Sequence, residues 1–168
     1  MHNQDKPTNF IPQKRRDQMY NEQIKDPYQT GKKLPEPTHC TDCGAVYHKG
    51  RWQWMVAQKE SHPQCCPACE RIRDKFPASF LALNGQFYAD HKEEILNLIK
   101  HQEEKEQTEH PLERIMDMNE EPQGELTISY TGVHLAQGTG NALHHAYQGE
   151  IKIEHNERSG QIRVHWQR

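Results

Sequence analysis

Four cysteines come in two pairs at one spacing: Cys40 and Cys43 in CTDCG, and Cys66 and Cys69 in CPAC. A C-x2-C pair can bend its backbone into a knuckle that turns two thiols toward one point. Two knuckles separated by 22 residues can place four thiolates around one ion. Gly44, directly after Cys43, permits the positive φ that such a turn often needs, and Pro67 stiffens the second turn. Four sulfur donors favour tetrahedral Zn2+, and a full cysteine shell leaves no position for a reactive water. The spacing therefore predicts a structural zinc ribbon held by Cys40, Cys43, Cys66 and Cys69. Iron in a rubredoxin-like site is the minor alternative; Glu70 stands where such sites usually carry glycine. Cys65 is spare in this register, because exchanging it for Cys66 spoils the spacing. His48 and His62 are ligands by type and are expected at the surface.

Basic and aromatic residues flank the pairs. Tyr47, His48, Lys49, Arg51, Trp52 and Trp54 follow the first, and Arg71, Arg73 and Lys75 follow the second. Rings stack on unpaired bases and cations meet phosphate, so this mixture suits RNA. The expected RNA contacts are Tyr47, Lys49, Arg51, Trp52, Arg71 and Arg73. A plainer role competes: zinc held by four thiolates carries a net charge of −2, which nearby Lys and Arg offset, while a tryptophan packs on the knuckles.

Other chemistry finds little support. The twelve histidines include His134, His144, His145, His155 and His165 near the end, but a helix would point the adjacent pair His144 and His145 in different directions. HExxH, GxSxG and GxxxxGK[ST] are absent. Gly138 and Gly140 in QGTGNA are too sparse for a phosphate loop and are expected at a loose helix start. Cys65 beside a metal thiolate is the only feature that hints at an enzyme, and nothing fixes a partner for it.

The elements that must position the cysteines sit in a very polar chain of 168 residues, with 33% apolar residues and a mean hydropathy of −1.12. One large core is not expected; small folded pieces, one stapled by metal, fit better. No apolar run approaches the ~20 residues that span a bilayer, and MHNQDKPTNF lacks an apolar signal core. A cytoplasmic location is expected, where cysteines stay reduced and metal is favoured over disulfide.

Four segments are expected. Residues 1–37, with five prolines and the KRR cluster at 14–16, look like a flexible N-terminal arm. Residues 38–85 would form the ribbon. Residues 86–123, with 4 basic and 11 acidic side chains, would be a charged helical connector. Its helix runs from Asp90 to about His110 through Ile95, Leu98 and Ile99. Pro111 ends it, and Leu112, Ile115 and Met116 form a further short apolar stripe. Residues 124–168 change period. Leu126, Ile128 and Tyr130 alternate as a strand. Leu143, Ala146 and Tyr147 mark a helix face, with Gly149 as its C-terminal cap. Ile151 and Ile153, then Ile162, Val164 and Trp166, mark two strands joined by a turn at Gly160. The fold class is α+β: a small four-cysteine ribbon, a charged helix and a C-terminal β-α-β-β unit.

CTDCG at 40–44, CPAC at 66–69 and LTISYTGVHLAQGTGNALHHAYQGEIKIEH at 126–155 together resemble the nonsense-mediated mRNA decay protein 3 family, above all short bacterial proteins grouped with it by distant similarity. HPLERIM at 110–116 and AYQGE at 146–150 belong to the same likeness. Family members are ribosome-associated. The larger ones carry more cysteine-pair clusters and further domains, so their nuclear export role does not carry over. What the resemblance implies here is a ribbon facing the ribosome or RNA. The expected function is thus a non-enzymatic zinc-ribbon protein that binds the ribosome or structured RNA and affects translation or ribosome stability. The alternative is a zinc-stabilised protein-interaction adaptor in a stress response, without nucleic acid.

Overall fold

The computed structural model describes residues 26–29 and 32–168. Most of the expected arm, including the basic cluster at 14–16, lies outside the described residues.

The cysteine region is built from very short pieces: β1 (Thr38–His39), β2 (Val46–His48), β3 (Arg51–Gln53), β4 (His62–Pro63) and α1 (Pro67–Asp74). The strands order as β3-β2-β1-β4, with only β1 and β4 parallel. The β2–β3 hairpin turns on Lys49 and Gly50, both at positive φ (51° and 77°), the primed two-residue turn that matches strand twist. Glu36 anchors it, accepting from the backbone N–H of Lys49 at 2.8 Å and of Gly50 at 3.1 Å. The second knuckle is not a bare turn; it opens α1. Cys66 is the N-cap, and its Sγ accepts from the Cys69 N–H at 3.4 Å. Pro67 suits the first helical position because its fixed φ is helical and no N–H is wanted there.

The remainder forms one larger unit: β5 (Ser79–Asn84), α2 (Gln86–Asp90), α3 (Lys92–Glu109), β6 (Ile115–Glu120), β7 (Leu126–Tyr130), α4 (His134–Tyr147), β8 (Glu150–His155) and β9 (Ile162–Gln167). Its five strands order as β6-β7-β5-β9-β8. β5 and β9 are parallel and the other pairs antiparallel. Side chains alternate across a strand, so Leu81, Leu83, Leu126, Ile128, Tyr130, Val164 and Trp166 share one buried face. Ile95 and Ile99 of α3 and Leu135 and Leu143 of α4 close the core over it. Gly140 lets α4 approach the sheet: a Cβ there would stand 2.8 Å from Val164 Cγ1.

The α+β class holds, as does the strand–helix–strand–strand order of the last unit. The expected boundaries need correction. Ser79–Asn84, assigned to the ribbon at 38–85, is the central strand of the large sheet, pairing β7 and β9. Its run SFLALN is buried on both sides in part, with Ser79, Leu81, Ala82 and Leu83 all buried, so it lacks the alternation that marks a half-exposed strand. Residues 86–123 are not a separate connector either. α3 supplies core residues, and the stripe after Pro111 leads into β6, which pairs with β7 from Ile115 to Glu120. Gly138 and Gly140 lie inside α4, not at a loose start. Ala146 is exposed, and Ile153 is 42% exposed on the edge strand β8, although both were expected on packed faces.

Candidate metal centre

The two knuckles bring Cys40, Cys43, Cys66 and Cys69 together, with their four Sγ atoms within 4.8 Å of one another. Cys40, Cys66 and Cys69 are buried and Cys43 is half-buried. None forms a disulfide. Tetrahedral zinc with Zn–S of about 2.3 Å requires sulfurs roughly 3.8 Å apart, and Cys43 Sγ lies 3.8 Å from Cys66 Sγ. The donors therefore match a tetrahedral ion in number and type, and this pair matches it in spacing. Apolar cover is thin: Ala45 and Ala68 are buried among the cysteines, with Trp52 and Leu112 packed outside. Cys65 is not in the cluster, as the register required. His48 and His62 are not in it either; His62 is exposed, while His48 is half-buried.

Backbone N–H groups and one arginine tune the sulfurs. Cys40 Sγ accepts from the Cys66 N–H at 3.2 Å. Burial pushes the Cys40 thiol up, but N–H groups of Cys43, Cys66 and Asp42 outweigh it and bring its pKa down to about 6. Burial raises the Cys66 and Cys69 thiols. The arginine is Arg114, from the segment between α3 and β6. Its Nη1 donates to Cys69 Sγ at 3.4 Å, and its Nη2 to Cys43 Sγ at 3.3 Å and Cys66 Sγ at 3.5 Å. Burial works against the Arg114 charge, yet the sulfurs raise its pKa above the usual arginine value. One guanidinium thus serves three of the four donors, which suits a site whose four thiolates outweigh a divalent ion by two charges.

Arg114 is held from the larger unit. Its Nε donates to the Pro111 carbonyl at 2.8 Å. Its backbone N–H donates to Thr131 Oγ1 at 2.9 Å, and that hydroxyl donates to the Leu112 carbonyl at 2.6 Å. Trp54 adds a second tie, donating Nε1–H to the Gln107 carbonyl of α3 at 2.6 Å. The sequence reading sought the compensating cation beside the cysteines and missed one 45 residues beyond Cys69. The negative excess of a four-thiolate site was the available signal; which arginine answers it depends on tertiary structure.

The flank residues divide. Tyr47 and Trp52 face each other across the hairpin, with ring centroids 5.7 Å apart and an edge-to-face tilt. Lys49 and Arg51 are exposed beside them. Arg71 does not belong with them. It is 4% exposed, forms an ion pair with Asp26 and lies over the Tyr28 ring at 4.3 Å. It also donates to the Phe76 carbonyl at 3.2 Å. Arg71 therefore fastens residues 26–28 to α1 and is not available to phosphate. Arg73 is exposed but engaged, donating to Asp42 Oδ2 at 2.9 Å and to Cys65 Sγ at 3.2 Å. Burial, then the Asp42 carboxylate, push the Cys65 thiol up to about 12.

The C-terminal histidines do not converge. His144 Nδ1 lies 2.8 Å from the Gly149 carbonyl oxygen, closing the end of α4. His165 Nε2 lies 3.2 Å from Glu154, and His134 opens α4. Among the described residues, no helix is long and apolar enough to cross a membrane.

No family model, curated protein or solved structure matches this chain.

Proposed function

We propose that this chain is a non-enzymatic zinc-ribbon protein that binds the ribosome or structured RNA. Zinc is the metal favoured by four clustered thiols at tetrahedral spacing. The observation that carries the binding reading is the β2–β3 hairpin. It carries the half-buried cross-strand pair Tyr47 and Trp52 together with exposed Lys49 and Arg51, so aromatic rings and cations belong to one small hairpin. The resemblance of the cysteine pairs and the C-terminal block to a ribosome-associated family agrees with that reading. Arg73 is an additional cation only if it leaves Asp42, and Arg71 drops out.

Ribosome pelleting at two salt concentrations tests it. Wild-type protein should co-sediment at low salt and release as salt rises, since phosphate contacts free counterions. Lys49→Glu with Arg51→Glu should weaken binding and flatten the salt dependence while zinc stays bound, because neither residue is a ligand. Failure of the wild type to bind at low salt, or equal binding by the double variant, refutes this function. A second reading has its own observation: Trp54, Met55 and Val56 are exposed at 42%, 38% and 89%. An apolar tip of this kind suits a protein partner, and salt-insensitive capture lost in Val56→Asp would favour the adaptor.

A further inference from the structure

A cleft of about 820 Å³ lies where the ribbon meets the larger unit. Such volumes, at a junction between folded units, are typical of small-molecule sites. Its ribbon wall carries Tyr47, Arg51 and Trp52; Lys32 closes one side, and His134, at the start of α4, stands on the wall from the larger unit. The aromatic pair of the hairpin therefore lines a half-open cleft.

The chemistry of the walls narrows the occupant. Trp52 and Tyr47 offer flat apolar surface, which every nucleobase can use. Arg51 and Lys32 offer charge to phosphate. Glu70 and Glu106 also line the cleft; carboxylates repel a bare anion but accept hydrogen bonds from ribose hydroxyls and exocyclic amines. Glu113, buried on the same wall, is already committed to the Leu135 N–H at 2.9 Å. Aromatic faces, cations and acceptors together match a nucleotide better than inorganic phosphate or an apolar ligand. The size admits an unstacked nucleotide and excludes a duplex.

We infer that this cleft binds one unstacked nucleotide, with its base against Trp52 and its phosphate on Arg51 and Lys32. The nucleotide comes either from single-stranded RNA or from the free pool. In its RNA form the inference rests on the function proposed above; in its free form it does not. The site is assembled from ribbon and larger unit together, so it depends on the Arg114 contact that joins them.

The test titrates zinc-loaded full-length protein with adenosine monophosphate, a short oligoadenylate and inorganic phosphate, following tryptophan fluorescence and NMR shifts. Adenosine monophosphate or the oligoadenylate should move the Trp52 and His134 signals, and inorganic phosphate should not. Trp52→Leu should weaken binding about tenfold, the worth of one base stack. Lys32→Glu should weaken it too. That residue is exposed and lies outside the hairpin and both knuckles, so folding should survive if the ribbon variant disturbs the zinc site. Adenosine monophosphate binding without oligoadenylate or ribosome binding upholds the cleft and defeats the RNA function. Oligoadenylate binding unchanged in both variants puts RNA on the outer hairpin, overturning the cleft and leaving the function standing. Phosphate binding as tight as the nucleotide, or no binding by either nucleotide probe, overturns the inference.

Discussion

The two halves of this molecule are held by different forces. The larger unit buries Leu81, Leu83, Ile128, Leu135, Leu143 and Trp166 completely or nearly so, in a single core between sheet and helices. Burial of such side chains stabilises a fold by about 1.5–3 kcal/mol each. The ribbon has no comparable core. Its strands are two or three residues long, and its buried cluster is three cysteines and two alanines. On the reading proposed above, a metal ion does in this half what apolar packing does in the other. Arg114 joins them, with its backbone in the larger unit and its guanidinium on the sulfurs.

Removing the metal should break the comparison most visibly. Structural zinc contributes about 10–16 kcal/mol of binding free energy that is also folding free energy. Chelation should erase the NMR signals of Cys40 to Asp74 and spare those of the five-stranded sheet. Loss of both sets in one cooperative step would show that the halves are not separable. The converse variant is Leu81→Ala, at 0% exposure in the central strand. It should cost the larger unit about 2–5 kcal/mol, seen as a lower urea midpoint, with zinc content unchanged.

Arg114→Gln should sharpen the picture. It removes the donors to three sulfurs but none of the four ligands. Zinc affinity should fall about 10–100-fold, as with other groups that orient metal ligands, at unchanged stoichiometry. The two halves should then melt further apart. A competition titration with a zinc-binding dye checks the affinity. Equal affinity would mean that the contact is incidental. Cys65→Ser should have the smallest effect, leaving metal content and melting temperature as in the wild type, because that thiol packs beside the cluster and bonds Asp42, Arg73 and the Cys66 carbonyl without being one of the four clustered donors.

What could be read from sequence follows the same division. The cysteine cluster was legible because its spacing is local: two C-x2-C pairs and Pro67 specify two knuckles wherever the chain goes. The last three strands were legible where one face is dry and the next wet, as in Leu126, Ile128 and Tyr130. The central strand Ser79–Asn84 was not, since flanking strands cover it and its residues read as one apolar run. β6 was obscured by Ile115 and Met116, adjacent apolar residues that fit either period. Arg71 and Arg114 show the other limit. One was read as a phosphate contact and is buried on Asp26 and Tyr28; the other drew no notice and lies on the sulfurs. An arginine's partner is set by tertiary contact, and sequence neighbours do not disclose it.

The central claim is that one zinc ion, held by Cys40, Cys43, Cys66 and Cys69, is what folds the ribbon. Native mass spectrometry of the wild type and of Cys66→Ser, paired with NMR of each, tests it most directly. Cys66 is the fully buried ligand that also caps α1. The account predicts one zinc per wild-type chain. In the variant it predicts no tightly bound zinc and a missing ribbon beside an intact five-stranded sheet. A metal-free wild-type chain with a folded ribbon would contradict it, as would Cys66→Ser holding zinc as tightly as the wild type.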